Sequence, residues 1–410
     1  MSPRRTSATR YGTAPWVADG GRRRPAYPRL TGSHDAPVAV IGGGLTGTAT
    51  AYALAAAGVD CVLVEAGRVA VSGAGRGPGF ITSEPCTSFT ALEAAHGRRA
   101  ARAMFDLSRR AALDLAATIR RLKLQVRYEP RVALRVPGLW QPDIALRREG
   151  ARRRDAGLDA SWLSRAALAR VAAVDADGAL RLRDWGQVDP YRLALGFARA
   201  AAARGARLFE RSAVRRVTVG RRGVTIETVS GAIAAETVVV CTGAPGALYR
   251  PLQRHLSRRE QPVVLTEPMP AAMRRAVAPR DVVVTDTDTP LTIGWTADDR
   301  IVVAGAAEAP LAARALAKVE APRTGRLMYE LLRRYPAIAG LAPAAGWHAP
   351  LALTSDGAMY AGPHRNYPRH LFAWGTAHDP AHAFLASRIV LRHVLGNPQP
   401  GDAYFAFTRG

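Results

Sequence analysis

The sequence predicts an α/β chain in which a parallel-sheet domain is interleaved with a second domain built on antiparallel sheet. Three observations carry that prediction. Residues 38–41 form a short β-branched run, Leu45, Ala49, Tyr52, Ala53 and Ala56 then recur at helical spacing, and a second apolar run closes at Glu65, so the stretch reads as a βαβ unit. Residues 237–241 are a solid apolar run suited to a strand buried on both faces, which returns the chain to the parallel sheet. Residues 260–310 hold four strand-like runs punctuated by turns and no long helix, the pattern of an antiparallel sheet.

The first unit is the most strongly marked. Gly42, Gly44 and Gly47 stand between its strand and helix in G-x-G-x-x-G register. The first makes the tight turn, the second admits a pyrophosphate against the backbone, and the third lets helix and sheet pack closely. Leu45 and Thr46 open the helix, where unpaired N–H groups and the positive dipole end favour an anion. Glu65 ends the second strand 18 residues after Gly47, placed to accept both hydroxyls of an adenosine ribose. An acid there disfavours a 2′-phosphate, so the domain is Rossmann-like and its cofactor FAD or NAD in preference to NADP.

At 410 residues and 48% apolar composition the chain can bury a large core, and its length suggests two or three domains. No apolar run reaches the roughly 18 residues of a membrane helix, and the N-terminal arginines are not followed by the apolar stretch of a secretory signal. A cytoplasmic location is the expectation. Cys61, Cys86 and Cys241 are scattered and without metal-ligand spacing, so neither a disulfide framework nor a metal site is expected. The formal charge of +24 rests almost wholly on arginine, since Lys123 and Lys318 are the two lysines, and it is spread along the chain. The dense runs at 22–24 and 147–154 therefore read as solvated faces, and a nucleic-acid partner is disfavoured.

In chain order, residues 1–36 carry seven arginines with Pro, Gly, Ser and Thr and read as a basic, mostly irregular arm, with Tyr27-Pro-Arg-Leu packing on the domain beyond it. Residues 66–80 hold five glycines and a proline, which let main chain run close to a flat ligand. A long helix begins at Ala91, then comes a strand marked by Val132, Leu134 and Val136, then an exposed turn or helix end at 147–154. Asp189-Pro190 starts a helix with an N-cap acid and a first-turn proline. A meander at 207–228 precedes the 237–241 strand. A helix at 323–335 stops at Pro336, and the C-terminal part offers a strand ending at Trp374, a turn at Gly375 and a helix ending at Gly396.

Through these motifs the chain resembles the D-amino-acid-oxidase-like FAD-dependent oxidoreductases, the group with glycine and sarcosine oxidases. Ser72, Gly73, Gly75, Arg76, Gly77, Pro78, Gly79 and Phe80 look like the family's flavin loop, and residues 186–214 look like its second signature, in which Val214 would meet the adenine through its backbone. Thr354-Ser355-Asp356-Gly357 with Gly362 is similar to the late T-P-D-G turn. Tyr27-Pro-Arg-Leu, the 77–84 stretch and the helix after the 96–108 segment look most like the gamma-glutamylputrescine oxidoreductase branch. The resemblance implies an FAD-binding domain from 37–90, 186–250 and 345–410, and a substrate domain from 91–185 and 251–344. It implies flavin contacts from Ser72, Arg76, Gly77, Gly79, Thr242, Gly243 and Gly375. The chain departs from the family pattern at Gly77 and Pro78, and again at 375–384, where only Gly375 of a glycine-rich turn is kept. Ala349 stands where sarcosine oxidases place the cysteine that bonds the flavin, which implies non-covalent FAD.

The implied reaction is oxidation of the C–N bond of an amine or amino acid by hydride transfer to flavin N5, with oxygen or another electron acceptor closing the cycle. His378 and His348 are the candidate catalytic residues. On a helix, His378 and His382 would share a face, while His255, His364, His370 and His393 read as surface histidines. An NAD-dependent dehydrogenase would need the later family motifs to be accidental. Two further readings compete: a weakened flavoprotein serving as a binding or scaffold subunit, motivated by the missing glycines, and an RNA-modifying oxidase domain, motivated by the charge.

Overall fold

The computed structural model describes residues 8–20, 24–138, 143–287 and 291–409; Arg22 and Arg23 of the first arginine run lie outside the described residues. The chain divides into two compact units, each assembled from three stretches of sequence. One comprises Met1–Ala18, Arg127–Gln187 and Arg259–Pro350, the other Asp19–Val126, Val188–Arg258 and Leu351–Gly410.

In the second unit the strands run in the order Tyr360–His364, Tyr367–Trp374, Gly231–Gly243, Gly32–Ile41, Cys61–Val64, Arg207–Phe209. All neighbours are parallel except the first pair. The central strands are buried on both faces, which explains their continuous Val and Ile runs. One face carries Val62, Val238, Val240, Phe372 and Trp374 against Tyr249, Leu252 and Leu256. Three helices, Leu45–Ala56, Pro190–Ala202 and Pro380–Val394, are joined through stacked aromatics: Tyr52 lies 5.5 Å from Phe197, and Phe197 lies 6.2 Å from Phe384. Pro190–Ala202 begins where its sequence says, with Asp189 accepting a hydrogen bond from Arg192 N at 2.9 Å.

Several details depart from the sequence reading. Arg207–Phe209 is not part of the meander but extends the parallel sheet beside Cys61–Val64. The long helix Phe89–Arg121 belongs to this unit, where Arg121 Nη2 donates to Tyr52 Oη at 3.2 Å, and it breaks at Gly97, whose φ is +79°. His364 and His370 are buried, not superficial, because the faces of Tyr249, Tyr367 and Phe372 surround them. The arm is also more ordered than its composition suggests. Arg10–Tyr11 pairs with Ala345 and Gly346, Pro15–Gly20 is helical, and Trp16 meets Trp347 edge to face at 5.1 Å.

The first unit holds the expected antiparallel sheet, ordered Pro343–Leu353, Ser257–Thr266, Ile301–Ala304, Thr292–Trp295, Val282–Asp286, Glu129–Val136, Gly178–Gln187. One internal pair, Val282–Asp286 with Glu129–Val136, is parallel. Trp295, Val303, Leu331 and Tyr335 share its core. The helix there runs Ala313–Arg334, ten residues earlier than Arg323, and continues through Pro322. The 147–154 arginines lie on the helix Ile144–Asp155, and Arg153 is buried against Glu149 at 2.7 Å, so this segment is not simply a solvated turn. An i,i+4 carboxylate on the same face is what admits a guanidinium to the interior.

The T-S-D-G turn is fixed electrostatically. Arg409 donates to both oxygens of Asp356, at 2.8 and 3.1 Å, and to the carbonyls of Ala358 and Met359, while His96 Nε2 lies 3.0 Å from Asp356 Oδ2. Burial works to raise the Asp356 pKa, but the Arg409 guanidinium outweighs it and holds the carboxyl at about 2. A folded-state pKa depressed from the ordinary value of 3.8 stabilises the protein above pH 4, and that contribution is lost as pH falls towards 2. Asp356→Asn is expected to lower the unfolding free energy at pH 7 by about 2 kcal/mol, with the difference closing between pH 4 and 2. Denaturant melts at both ends of that range check this, and an equal deficit at pH 7 and pH 2 would contradict it.

Candidate functional site: a dinucleotide cradle

The strand Gly32–Ile41 ends at a turn set by sterics. Gly42 has φ +109°, and a Cβ there would lie 2.6 Å from the Cys241 carbonyl oxygen. A Cβ on Gly47 would lie 1.8 Å from the carbonyl oxygen of Gly42, so the helix Leu45–Ala56 seats its first turn directly on the strand end. Gly44 differs from both. It caps the helix in extended conformation, makes no side-chain cap hydrogen bond, and a Cβ on it would meet nothing within 4 Å. An α-helix cannot satisfy its first N–H groups internally. Here, at Leu45, Thr46 and Gly47, no cap side chain takes them up, and the backbone of Gly44 faces open space. That is the geometry a diphosphate needs.

Glu65 is buried and held in place by the turn it serves. Its Oε2 accepts from Gly43 N at 2.6 Å and its Oε1 from Gly67 N at 2.8 Å. Each oxygen keeps a further lone pair for a ribose hydroxyl. The backbone beyond it is tied down in series. Ser212 N donates to Glu65 O at 2.9 Å, Leu30 N donates to Ser212 Oγ at 2.9 Å, and Glu210 accepts from Val69 N and pairs with Arg24. The Tyr27-Pro-Arg-Leu stretch thus braces the chain leading to Val214, which is half-buried beside the same core.

The glycine-rich loop forms a 3-10 turn over Gly73–Arg76, with Ser72 O accepting from Gly75 N and Arg76 half-buried. Gly77 is buried, and Gly79, at φ +86°, accepts from Val188 N at 2.9 Å. Thr242 and Gly243 are exposed at the end of Gly231–Gly243. There Thr242 Oγ1 donates to Ala244 O and accepts from Trp374 Nε1. Gly375, at φ +75°, follows the adjacent parallel strand. The structure therefore brings Gly42, Gly44, Leu45, Thr46, Gly47, Glu65, Thr242, Gly243 and Gly375 to the carboxyl ends of neighbouring parallel strands, where open α/β sheets bind ligands.

The two histidine candidates belong to different units. His348 lies in the other unit with its ring 2% exposed, Nε2 2.8 Å from Arg323 and Nδ1 3.6 Å from Glu320, both on Ala313–Arg334. It is a packed histidine in an ion network that also includes Glu308. His378 stays beside the strand ends, but it precedes the helix Pro380–Val394 and so does not share a helical face with His382. Ala377 and His378 are instead two consecutive left-handed residues, with φ +47° and +62°. The backbone strain of this segment falls on Ala377 and His378, whereas Pro380 suits the first helical position.

Next to this turn lies a cluster that the sequence reading missed. Asp379 is buried and caps that helix, accepting from Ala381 N at 2.7 Å, from Thr82 N at 3.1 Å and from Thr82 Oγ1. Asp379-Pro380 repeats the acid-proline start signal of Asp189-Pro190, and this was the signal that could have found it. His382 Nδ1 lies 3.9 Å from Asp379 Oδ2. Burial lowers the His382 pKa and raises that of Asp379. Three donors on the carboxylate favour its charged form. The ring, facing Asp379 and Cys86 and hydrogen-bonded to the Glu84 backbone, is carried up to about 9.

The glycine geometry separates folding from binding. Gly44→Val is expected to fold with the melting temperature of the flavin-free unaltered protein and to lose the dinucleotide. Gly47→Ala is expected to cost about 1–3 kcal/mol of stability or more, because a methyl cannot fit against a carbonyl. Thermal melts with added dinucleotide distinguish the two, and retained binding in Gly44→Val would move the site elsewhere.

The family model described as DAO, FAD dependent oxidoreductase, matches residues 37–388. Gamma-glutamylputrescine oxidoreductase of Escherichia coli (strain K12) is 27% identical over 304 residues, covering 72% of this chain and 70% of that protein. Glycine oxidase from Geobacillus kaustophilus shares the fold with a TM-score of 0.77 at 20% identity, over 92% of this chain and 99% of the other. L-amino acid deaminase from Proteus myxofaciens does so with a TM-score of 0.77 at 16% identity, over 94% and 96%. The family match takes in the cradle, the loop after it and the late helix, and the chain therefore belongs to the DAO family of FAD-dependent oxidoreductases.

Proposed function

We propose that the protein oxidises the C–N bond of a small amine or amino acid, using FAD held without a covalent bond. The observation that carries this reading is the open backbone of Gly44 at an uncapped helix N-terminus, with the buried Glu65 carboxylate beside it. The likeness to gamma-glutamylputrescine oxidoreductase supports an amine as substrate. FAD supplies the two-electron acceptor for a C–H next to nitrogen. The chain's own part is to hold and orient. Leu45, Thr46 and Gly47 bind the diphosphate, Glu65 accepts the ribose hydroxyls, Val214 meets the adenine through its backbone, and Ser72, Arg76, Gly77 and Gly79 shape the loop. Ala349, fully buried, offers no sulfur for a flavin thioether.

The turn from Gly375 to His378 sets the electrostatics near the reacting end. It leads into the helix N-terminus of Pro380–Val394, whose dipole favours negative charge. Asp379 already places a carboxyl there, and the left-handed Ala377 and His378 restrict how closely that backbone can approach a ligand. Both features weaken stabilisation of an anion at this point. His378 is the side chain of this turn that we assign to substrate contact. The weakened-flavoprotein alternative is not favoured, because the cradle keeps every glycine that its sterics demand.

Anaerobic mixing with a panel of amines and amino acids is expected to bleach the visible flavin absorption with at least one small amine. His378→Ala is expected to lower kcat/KM by about tenfold or more. Reoxidation of the photoreduced protein in air-saturated buffer is expected to be slow and to quicken in Ala377→Gly, which relieves a strained φ. Fast reoxidation of the unaltered protein would sink the electrostatic account, and bleaching by no amine would sink the substrate class.

A further inference from the structure

Beneath the surface of the second unit, three side chains from two stretches of chain form an arrangement that binding of the dinucleotide does not use. Cys86 is exposed, whereas Cys61 and Cys241 are buried. Its Sγ lies 3.6 Å from Nδ1 of His382, and that ring is 4% exposed. Asp379 Oδ2 lies 3.9 Å from the same Nδ1, and its carboxylate is fixed by Thr82 and Ala381 N. A thiol open to solvent with an imidazole nitrogen at hydrogen-bond distance is the core of an activated nucleophile, and here a buried carboxylate lies near that same nitrogen. The groups that face His382 are Asp379 from its own helix cap, and Cys86 and the backbone of Glu84 from the 82–87 stretch.

We propose that Cys86 is a modification site, a nucleophilic thiol that reacts with hydrogen peroxide while His382 supplies the proton for the departing oxygen. The thiolate sulfur attacks one peroxide oxygen. An S–O bond forms as the O–O bond breaks, sulfur is oxidised by two electrons to the sulfenic acid, and the peroxide is reduced. The hydroxide that leaves takes the His382 proton and departs as water, so a neutral imidazole remains. The His382 Nδ1, 3.6 Å from the sulfur, is the proton donor within reach of the reacting atoms, and the buried ring is held between Asp379 and Cys86. Cys61 and Cys241 lack such a partner environment: burial pushes both up to about 12, which leaves them inert. The site stands on this geometry alone and does not depend on the amine reading.

The test uses the full-length, FAD-loaded protein at pH 7. Peroxide followed by dimedone, with peptide mass mapping, is expected to give one adduct, on Cys86, and none in Cys86→Ser. Iodoacetamide is expected to alkylate Cys86 about tenfold faster than it alkylates glutathione, and His382→Gln is expected to remove that advantage. A Cys86 rate no greater than that of glutathione, or an adduct that forms as quickly in His382→Gln, would overturn the proposal. Should His382→Gln fail to fold, the rate ratio in the unaltered protein decides the matter by itself.

Discussion

The tightest steric limit on a side chain in the cradle lies at Gly47, against the carbonyl of Gly42. A single methyl there would sit 1.8 Å from that oxygen, so the helix can lie on the strand end only if residue 47 has no side chain. Much else depends on that seating. No cap side chain takes up the first helical N–H groups, Gly43 N is brought to Glu65, and Glu65 aligns the backbone to which Ser212 and then Leu30 attach. The cradle is therefore one mechanical unit, in which the N-terminal arm, the second strand and the 207–214 segment share a set of hydrogen bonds. The N-terminal brace is a consequence of this chain's own contacts, and it gives the otherwise irregular residues 24–30 a structural purpose.

What could be read from the sequence was whatever local sterics or buried periodicity enforces. The glycine register, Glu65, the Asp189-Pro190 helix start and the both-faces-buried strand at 237–241 each depend on neighbours in sequence, and each folds as read. Long-range choices were less legible. Arg207–Phe209 has an edge strand's composition, and nothing local says which sheet it joins. His364 and His370 look polar in sequence but are surrounded by aromatic rings brought from Tyr249 and Tyr367. Arg153 is admitted to the interior only because Glu149 lies one turn away on a helix whose existence the arginine run concealed. The ion network around His348 was hidden because Arg323 and Glu320, its partners, are more than twenty residues away in sequence.

The segment after Gly375 shows how the chain manages a turn without the family's glycines. Two L-residues take left-handed φ in succession, at a cost of order 1–3 kcal/mol each. Such a conformation persists only when its surroundings over-determine it. Here the next residue, Asp379, is tied to its own helix and to Thr82, and His382 fills the space beside it. Those same contacts place the His382 imidazole beneath an exposed thiol, so one joint both holds the strained turn and creates the Cys86 environment.

The central claim is that this cradle holds FAD without a covalent bond. The most direct measurement is to purify the protein, record its visible spectrum, precipitate it with acid and identify the flavin released by chromatography. The expected result is a yellow protein that yields about one FAD per chain to the supernatant and a colourless pellet, as an intact cradle and a buried alanine at residue 349 require. A protein without flavin, a flavin other than FAD, or colour that stays in the pellet would contradict it.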